Sequence, residues 1–287
     1  MNTISTKTYR DKYRLANLDS LLRSALIAEK ICMVDRSGLK TIQSPYGSQP
    51  STTVQAIAGT YSVASYTTTD DTLTVSDEFI CAEHVFDFEQ TLTEFDVFSS
   101  RLDEQQASVV TAIDKYVLNN LLEAGTGSYT TPVGGFTTAS NINTIMANLA
   151  SKVAGYSEAF NGLYLVIEAT DLVGFMVAQA TNGFSYADMA LRNGFLTSYM
   201  GIDIYVARAG TFDDQSASSV SGTTTWTNAG HRVFGVKNIT TYASPIDVKF
   251  EEKSVSGKTG MEVVTYGYVG FKAWTPKLTL TVDITLA

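Results

Sequence analysis

Apolar residues recur at three- and four-residue steps from Phe98 through Leu102, Val109, Val110, Ile113, Val117, Leu118, Leu121 and Leu122, and predict one uninterrupted amphipathic helix over 98–125. Arg101, Asp103, Gln105, Gln106, Asp114, Lys115 and Asn119 fall on its opposite, polar face. Ser99 or Ser100 is placed to cap the first turn, Asp103 and Glu104 to face its positive end, and Gly125 to end it in the left-handed conformation. At 1.5 Å per residue this helix spans roughly 35 to 40 Å, a strut as long as a small domain is wide.

Other stretches read against that strut. Leu15, Leu18, Leu22, Ala25, Leu26 and Glu29 form a short helical stripe behind a possible Asn17 cap, and so short a helix needs a surface to rest on. Asn141–Val153 reads as helix, Leu163–Ile167 as a buried strand, Thr170 or Asp171 as the cap of a helix through Ala180, and Ile202–Ala207 as another strand. That alternation predicts a mixed α/β lobe. The last fifty residues alternate strictly: Ile246, Val248 and Phe250; Glu262, Val264, Tyr266 and Tyr268; then Leu278, Leu280, Val282, Ile284 and Leu286. Period two gives one buried and one wet face, and the strut is the natural surface for this sheet to cover.

Three stretches lack such periodicity. Residues 36–76 are rich in Ser, Thr and Gly and poor in large aliphatics, and are too long for an ordinary connection. Alternation at Tyr61 and Val63 and at Leu73 and Val75 predicts two strands joined across SPYGSQP, a long hairpin standing away from the core and needing a partner surface. Residues 79–97 mix strand character with acidic turns and lead into the strut. Residues 211–229 form a polar, low-complexity surface loop.

Composition narrows the function. The 287 residues suffice for one large or two ordinary domains, charged residues are only 17%, and the net charge is −9, which argues against a duplex-binding protein. No apolar run follows the basic residues near Met1, so no signal peptide is expected, and no stretch approaches the ~18 apolar residues of a membrane span. Cys32 and Cys81 lie far apart and read as two reduced thiols. Gly257, Lys258 and Thr259 imitate the end of a phosphate-binding loop, but Glu252 stands where its first glycine belongs and strand-like sequence follows, so a hairpin turn is expected. His84 and His231, the two histidines, lie outside any HExxH pattern. Asp87, Glu89, Glu94 and Asp96 lack the glycine and oxygen spacing of a calcium loop, and Asn238 opens a glycosylation sequon that means little without secretion. No catalytic, cofactor or metal site is expected.

In order, the chain has a short leader helix, a long hydroxyl-rich hairpin, an acidic lead-in, a long helix carrying AIDKYVLNNL, an α/β lobe with ALRNGFLTSYMGIDIYVA and a closing β segment with YGYVGFKAW. This arrangement resembles the major capsid proteins of tailed bacteriophages. The residues that carry the resemblance best are Ile113 and Asp114 in the helix, and Gly194 with Gly201 to Tyr205 entering the strand. The resemblance implies an α+β chain of the HK97-type capsid fold. It divides the chain into an N-terminal arm (1–35), an extended E-loop hairpin (36–78), a P-domain of spine helix and sheet (79–128 and 240–287) and a mixed α/β A-domain (129–239). It also implies a non-enzymatic shell subunit that assembles with copies of itself into pentamers and hexamers in the virion, formed in the host cytoplasm. Portal and scaffolding proteins, and a decoration protein where one exists, are the expected partners, with no sequence-specific nucleic-acid binding and no membrane. Because the arm starts almost at once, either a separate scaffold serves or the chain is the processed form. Candidate inter-subunit contacts are Leu18, Leu22, Leu26, Tyr61, Val63, Tyr66, Arg101 and Lys115. Two other readings stay open: an encapsulin-type compartment shell, and a β-rich tail or surface adhesin.

Overall fold

The computed structural model describes residues 26–47, 65–85, 97–181, 195–215, 226–245, 248–254 and 259–287, with single positions between 52 and 63. These residues begin with one helical turn, α1 (Ala28–Ile31), followed by the strands β1 (Met33–Asp35), β2 (Thr41–Gly47), β3 (Thr68–Thr74) and β4 (Asp77–Val85). Then come the long helix α2 (Val97–Ala124), β5 (Gly127–Thr130), α3 (Ala139–Val153), β6 (Leu163–Glu168), α4 (Leu172–Thr181), β7 (Phe195–Tyr199) and β8 (Ile202–Ala207). The remaining strands are β9 (Asp214–Gln215), β10 (Trp226–Thr227), β11 (His231–Val236), β12 (Thr240–Ala243), β13 (Lys249–Ser254), β14 (Met261–Ala273) and β15 (Thr281–Thr285).

Strand periodicity makes the lobe a three-layer structure. A six-stranded sheet runs in the order β5-β15-β11-β6-β8-β7. Along β6, Leu165 and Ile167 point to one side, where Ile142, Ile145 and Leu149 of α3 and Phe175 of α4 cover them. Tyr164 and Val166 point to the other side, onto Ile113, Val117, Leu118 and Leu121 of α2. Leu118 and Leu121 are both 0% exposed, and each such leucine stabilises the fold by about 2 kcal/mol relative to exposure. A second sheet, β1-β12-β14-β13 with β4 also paired to β14, covers another side of α2. The long helix is therefore enclosed by both sheets.

That enclosure explains where the structure departs from the local reading. Gln105, Asp114 and Asn119 belong to the polar face of α2, yet they are 2%, 8% and 0% exposed. Gln105 accepts from the Thr265 hydroxyl at 2.9 Å, and Asn119 donates to the Thr211 carbonyl at 2.8 Å while accepting from Asn228 at 2.9 Å. Helix α2 begins at Val97, so Ser99 and Ser100 lie inside its first turn and not at its cap. Gly125 is absent from the left-handed glycines; its role is close approach, since a Cβ there would sit 3.0 Å from the Thr281 carbonyl oxygen.

Along β14 the phase is one residue off the predicted one. Val263, Thr265, Gly267 and Val269 face inward, and Glu262, Val264, Tyr266 and Tyr268 face out. The small Thr265 and Gly267 admit the helix: a Cβ at Gly267 would lie 3.6 Å from Ile113 Cδ1. The closing strand does not cover α2 together with β14. β15 enters the six-stranded sheet between β5, which is parallel to it, and β11, so residues 240–287 divide between the two sheets. β13 is exposed on both faces, with Phe250 at 54%, while Val248 packs on the α2 core. The polar stretch 211–229 has buried ends, with Phe212 at 3% and Trp226 at 1%, because β9 and β10 pair at its base. Asp171 accepts from the Glu168 N–H within a short 3-10 turn that precedes α4.

Candidate functional site

The hairpin of β2 and β3 pairs from Thr41↔Thr74 to Gly47↔Thr68. Ser44, Pro45 and Gly47 therefore lie within a strand and not in a turn as expected, and Pro45 is accommodated because, among the described residues, no further strand pairs beside β2 to require its missing N–H. Residues 48–67 carry no charged side chain. Among the described positions there, Val54, Ile57, Val63 and Tyr66 are 96%, 102%, 84% and 71% exposed. Apolar side chains so exposed are the kind of surface that a binding partner covers.

Its base is fixed to the body by one carboxylate. Asp71 lies 2.6 Å from Lys272 Nζ and accepts from the Thr275 N–H at 2.9 Å and hydroxyl at 2.8 Å. Burial pushes this carboxyl up, but the Lys272 ammonium and the two Thr275 donors outweigh burial and hold it at about 2. Leu73, two residues on, is 1% exposed and packs where β14 has Gly270; a Cβ there would lie 3.1 Å from Leu73 Cδ2 and from the Thr74 carbonyl oxygen. The polar and apolar contacts together set the direction in which the hairpin leaves the body.

A second carboxylate fixes the root of the leader. Ile27, Ala28, Ile31 and Cys32 are buried against α2, and Leu26 is half-buried beside them. The Ile27 and Ala28 N–H groups donate to Asp114 at 2.9 and 2.8 Å. β1 then runs parallel to β12. Burial pushes the Cys32 thiol up to about 12. Cys81 is a free, half-buried thiol, and neither cysteine forms a disulfide.

The remaining predicted contact residues are placed as follows. Arg101 pairs with Glu104 at 2.5 Å and Glu83 at 3.5 Å, and Lys115 pairs with Asp213 at 2.7 Å, so each meets carboxylates of its own chain. Leu18, Leu22 and Tyr61 lie outside the described residues, as do Asn17 and the acidic residues 87–96. In the lobe, Arg232 joins Asp171 at 2.5 Å and Glu168 at 3.1 Å in a buried ion cluster, and Glu168 also accepts from the Phe212 N–H at 2.9 Å. This cluster locks the ends of β6 and β11 to the loop after β8. The outward side of α4 presents Val173, Met176 and Val177, and Met200 stands exposed at φ 51° in the β7–β8 turn. The sequence pattern marks Asp114 only as a polar-face residue that shares in the capsid resemblance and does not mark Asp71 or Lys272, since each of the three acts on a partner more than 80 residues away.

The two histidines lie apart. His84 contacts the Thr259 carbonyl on one sheet, and His231 pairs with Asp283 on the other. Among the described residues no group of three His, Cys, Asp or Glu side chains converges to hold a metal, and no helix is long and apolar enough to cross a membrane. Met261 to Val264 continue as strand after the Gly257–Thr259 stretch, whose first two residues lie outside the described residues, so no helix follows that glycine–lysine–threonine sequence.

No protein-family model and no curated protein sequence matches the chain. Solved structures do. The chain is similar to the capsid of cyanophage P-SCSP1u at TM-score 0.71 and 15% identity, over 100% of this chain and 95% of that one. It is similar to a structure from Mycobacterium phage Che8 at TM-score 0.68 and 14% identity, over 91% of each. A virus-like particle from Pyrococcus furiosus matches at TM-score 0.59 and 10% identity, over 91% and 92%. The likeness to these structures runs over nine-tenths or more of the chain, and the chain has the HK97-type fold.

Proposed function

We propose that the chain is the major capsid protein of a tailed bacteriophage: the repeating, non-enzymatic subunit whose pentamers and hexamers form an icosahedral head around double-stranded DNA. The observation that carries this reading is the hairpin. Beyond its fixed base, the uncharged 48–67 stretch exposes Val54, Ile57 and Val63, and a neighbouring copy is the surface that removes them from water. Each such contact is heterologous and closes a ring of five or six. The acidic balance of the chain, net charge −9, suits a wall that encloses DNA without holding it tightly.

In this reading residues 1–35 are the N-terminal arm, residues 36–78 with the β2–β3 hairpin are the E-loop, α2 is the spine helix, and the α3/α4 lobe (129–239) is the A-domain directed at the symmetry axes. The leucines at 18, 22 and 26 pack on the subunit or its neighbour. Portal and scaffolding proteins complete assembly, in the host cytoplasm, of a head that ends in the virion. Negative-stain microscopy of the purified full chain, alone and with co-expressed neighbouring genes, tests the reading. Closed shells or rings of five and six are expected. A monomer or trimer under every condition refutes it, and shells that package a co-expressed enzyme would move the assignment to an encapsulin-type compartment.

A further inference from the structure

Asp114 sits inside the spine helix α2, 8% exposed, at a place where an amphipathic helix ordinarily carries a solvated side chain. Its two oxygens are used separately: Oδ2 accepts the Ile27 N–H at 2.9 Å and Oδ1 the Ala28 N–H at 2.8 Å. These amides open the single turn α1, whose N-cap residue is Ile27, a side chain with no acceptor of its own. Ile27 is 2% and Ala28 0% exposed, so water does not reach them to substitute for the carboxylate. The far end of the turn is also held. The Ile31 carbonyl accepts from the Asn238 N–H at 2.9 Å, and the Thr240 hydroxyl donates to Cys32 Sγ at 3.2 Å. Beyond it, β1 is bonded in register with β12. Residues 27–35 are therefore part of the subunit body, and Leu26 beside them is half-buried.

We infer that Asp114 is the positioning residue for the end of the N-terminal arm: its bidentate carboxylate fixes residues 27–35 on the spine helix. Residues 27–35 then move with the subunit body, and the 36–40 turn is no pivot for the arm. This rests on the shell reading only in its consequence, that identical subunits present the same arm root at five- and six-fold positions.

The chemistry of the pair defines the test. Asparagine keeps one acceptor oxygen, alanine keeps none, and glutamate carries both oxygens one methylene further out. Hydrogen exchange by mass spectrometry on the full chain compares wild type with Asp114→Asn and Asp114→Ala. Amides 27–32 are expected to lose protection about 10-fold in the asparagine variant and up to about 100-fold in the alanine variant, while amides of α2 and β6 keep theirs. Asp114→Glu restores protection only partly, because it displaces the root. Unchanged protection at 27–32 in Asp114→Ala overturns the inference, since burial of Ile27 and Ile31 would then suffice. Equal loss across α2, β6 and 27–32 in the mild Asp114→Asn variant also overturns it, since Asp114 would then hold the core and not the arm. Microscopy of the same proteins separates the two proposals. If wild type makes no particles the shell reading fails, whereas the exchange result still decides the role of Asp114; if it does, Asp114→Asn is expected to lower the fraction of closed particles.

Discussion

Replacing Asp71 by asparagine removes one charge at the base of the hairpin and leaves its volume almost unchanged. The carboxyl is held at about 2 against an ordinary value of 3.8. At about 1.4 kcal/mol per pKa unit that difference is worth at most roughly 2.5 kcal/mol. Lys272 is 32% exposed, so solvent screening lowers the contribution to about 1–2 kcal/mol. The folded-state value lies below the unfolded one, so the unfolded chain takes up the proton first as pH falls. The contribution is fully present above about pH 4 and is lost as pH falls through about 2. Urea unfolding of the unassembled subunit is therefore expected to show Asp71→Asn about 1–2 kcal/mol less stable than wild type at pH 7, with the gap closing between pH 4 and 2. Taking the difference between the two proteins cancels the other carboxylates that titrate in the same range, such as Asp203 and Asp35, whose carboxyls also lie below the ordinary value. Hydrogen exchange should place the loss in 41–47 and 68–74 first, because among the described residues no other strand pairs with this two-stranded sheet. A gap of the same size at pH 7 and pH 2 would refute the electrostatic account and leave packing of Leu73 as the cause.

Three further outcomes follow from the same contacts. Asn119→Ala strands the Thr211 carbonyl and the Asn228 amide in the core and is expected to cost about 2–4 kcal/mol, read by urea unfolding; a change below about 1 kcal/mol contradicts the assigned network. Gly174→Ala would place a Cβ 1.8 Å from the Phe136 carbonyl oxygen, so the variant should lose the lobe, seen as loss of near-ultraviolet circular dichroism, and a native spectrum would show that α4 sits elsewhere. Ile57→Asp and Val63→Asp alter side chains already in water, so monomer stability should change by no more than about 0.5 kcal/mol, while particle formation, followed by size exclusion, is abolished; particles of wild-type yield would show that the hairpin is not an interface.

Much of this molecule was written in short-range periodicity. The helix over 98–125, the buried run Leu163–Ile167 and the strand Ile202–Ala207 recur in the structure as α2, β6 and β8, because each pattern spans a single element and one environment. The order of those elements also sufficed to reveal the capsid-type fold. Phase and destination were another matter. β14 offers apolar residues at both parities, and only the approach of α2 selected the face with Thr265 and Gly267, whose small side chains leave room for Ile113. β15 alternates cleanly, but either sheet could have received it; pairing with β5 and β11 placed it in the lobe. Asp71, Asp114 and Asn119 look like ordinary surface polar residues until the chain closes, since the groups they satisfy lie 204, 86 and 92 residues away. A local pattern records how apolar a position is, whereas a buried carboxylate or amide is stable only against donors and acceptors that the tertiary fold brings to it.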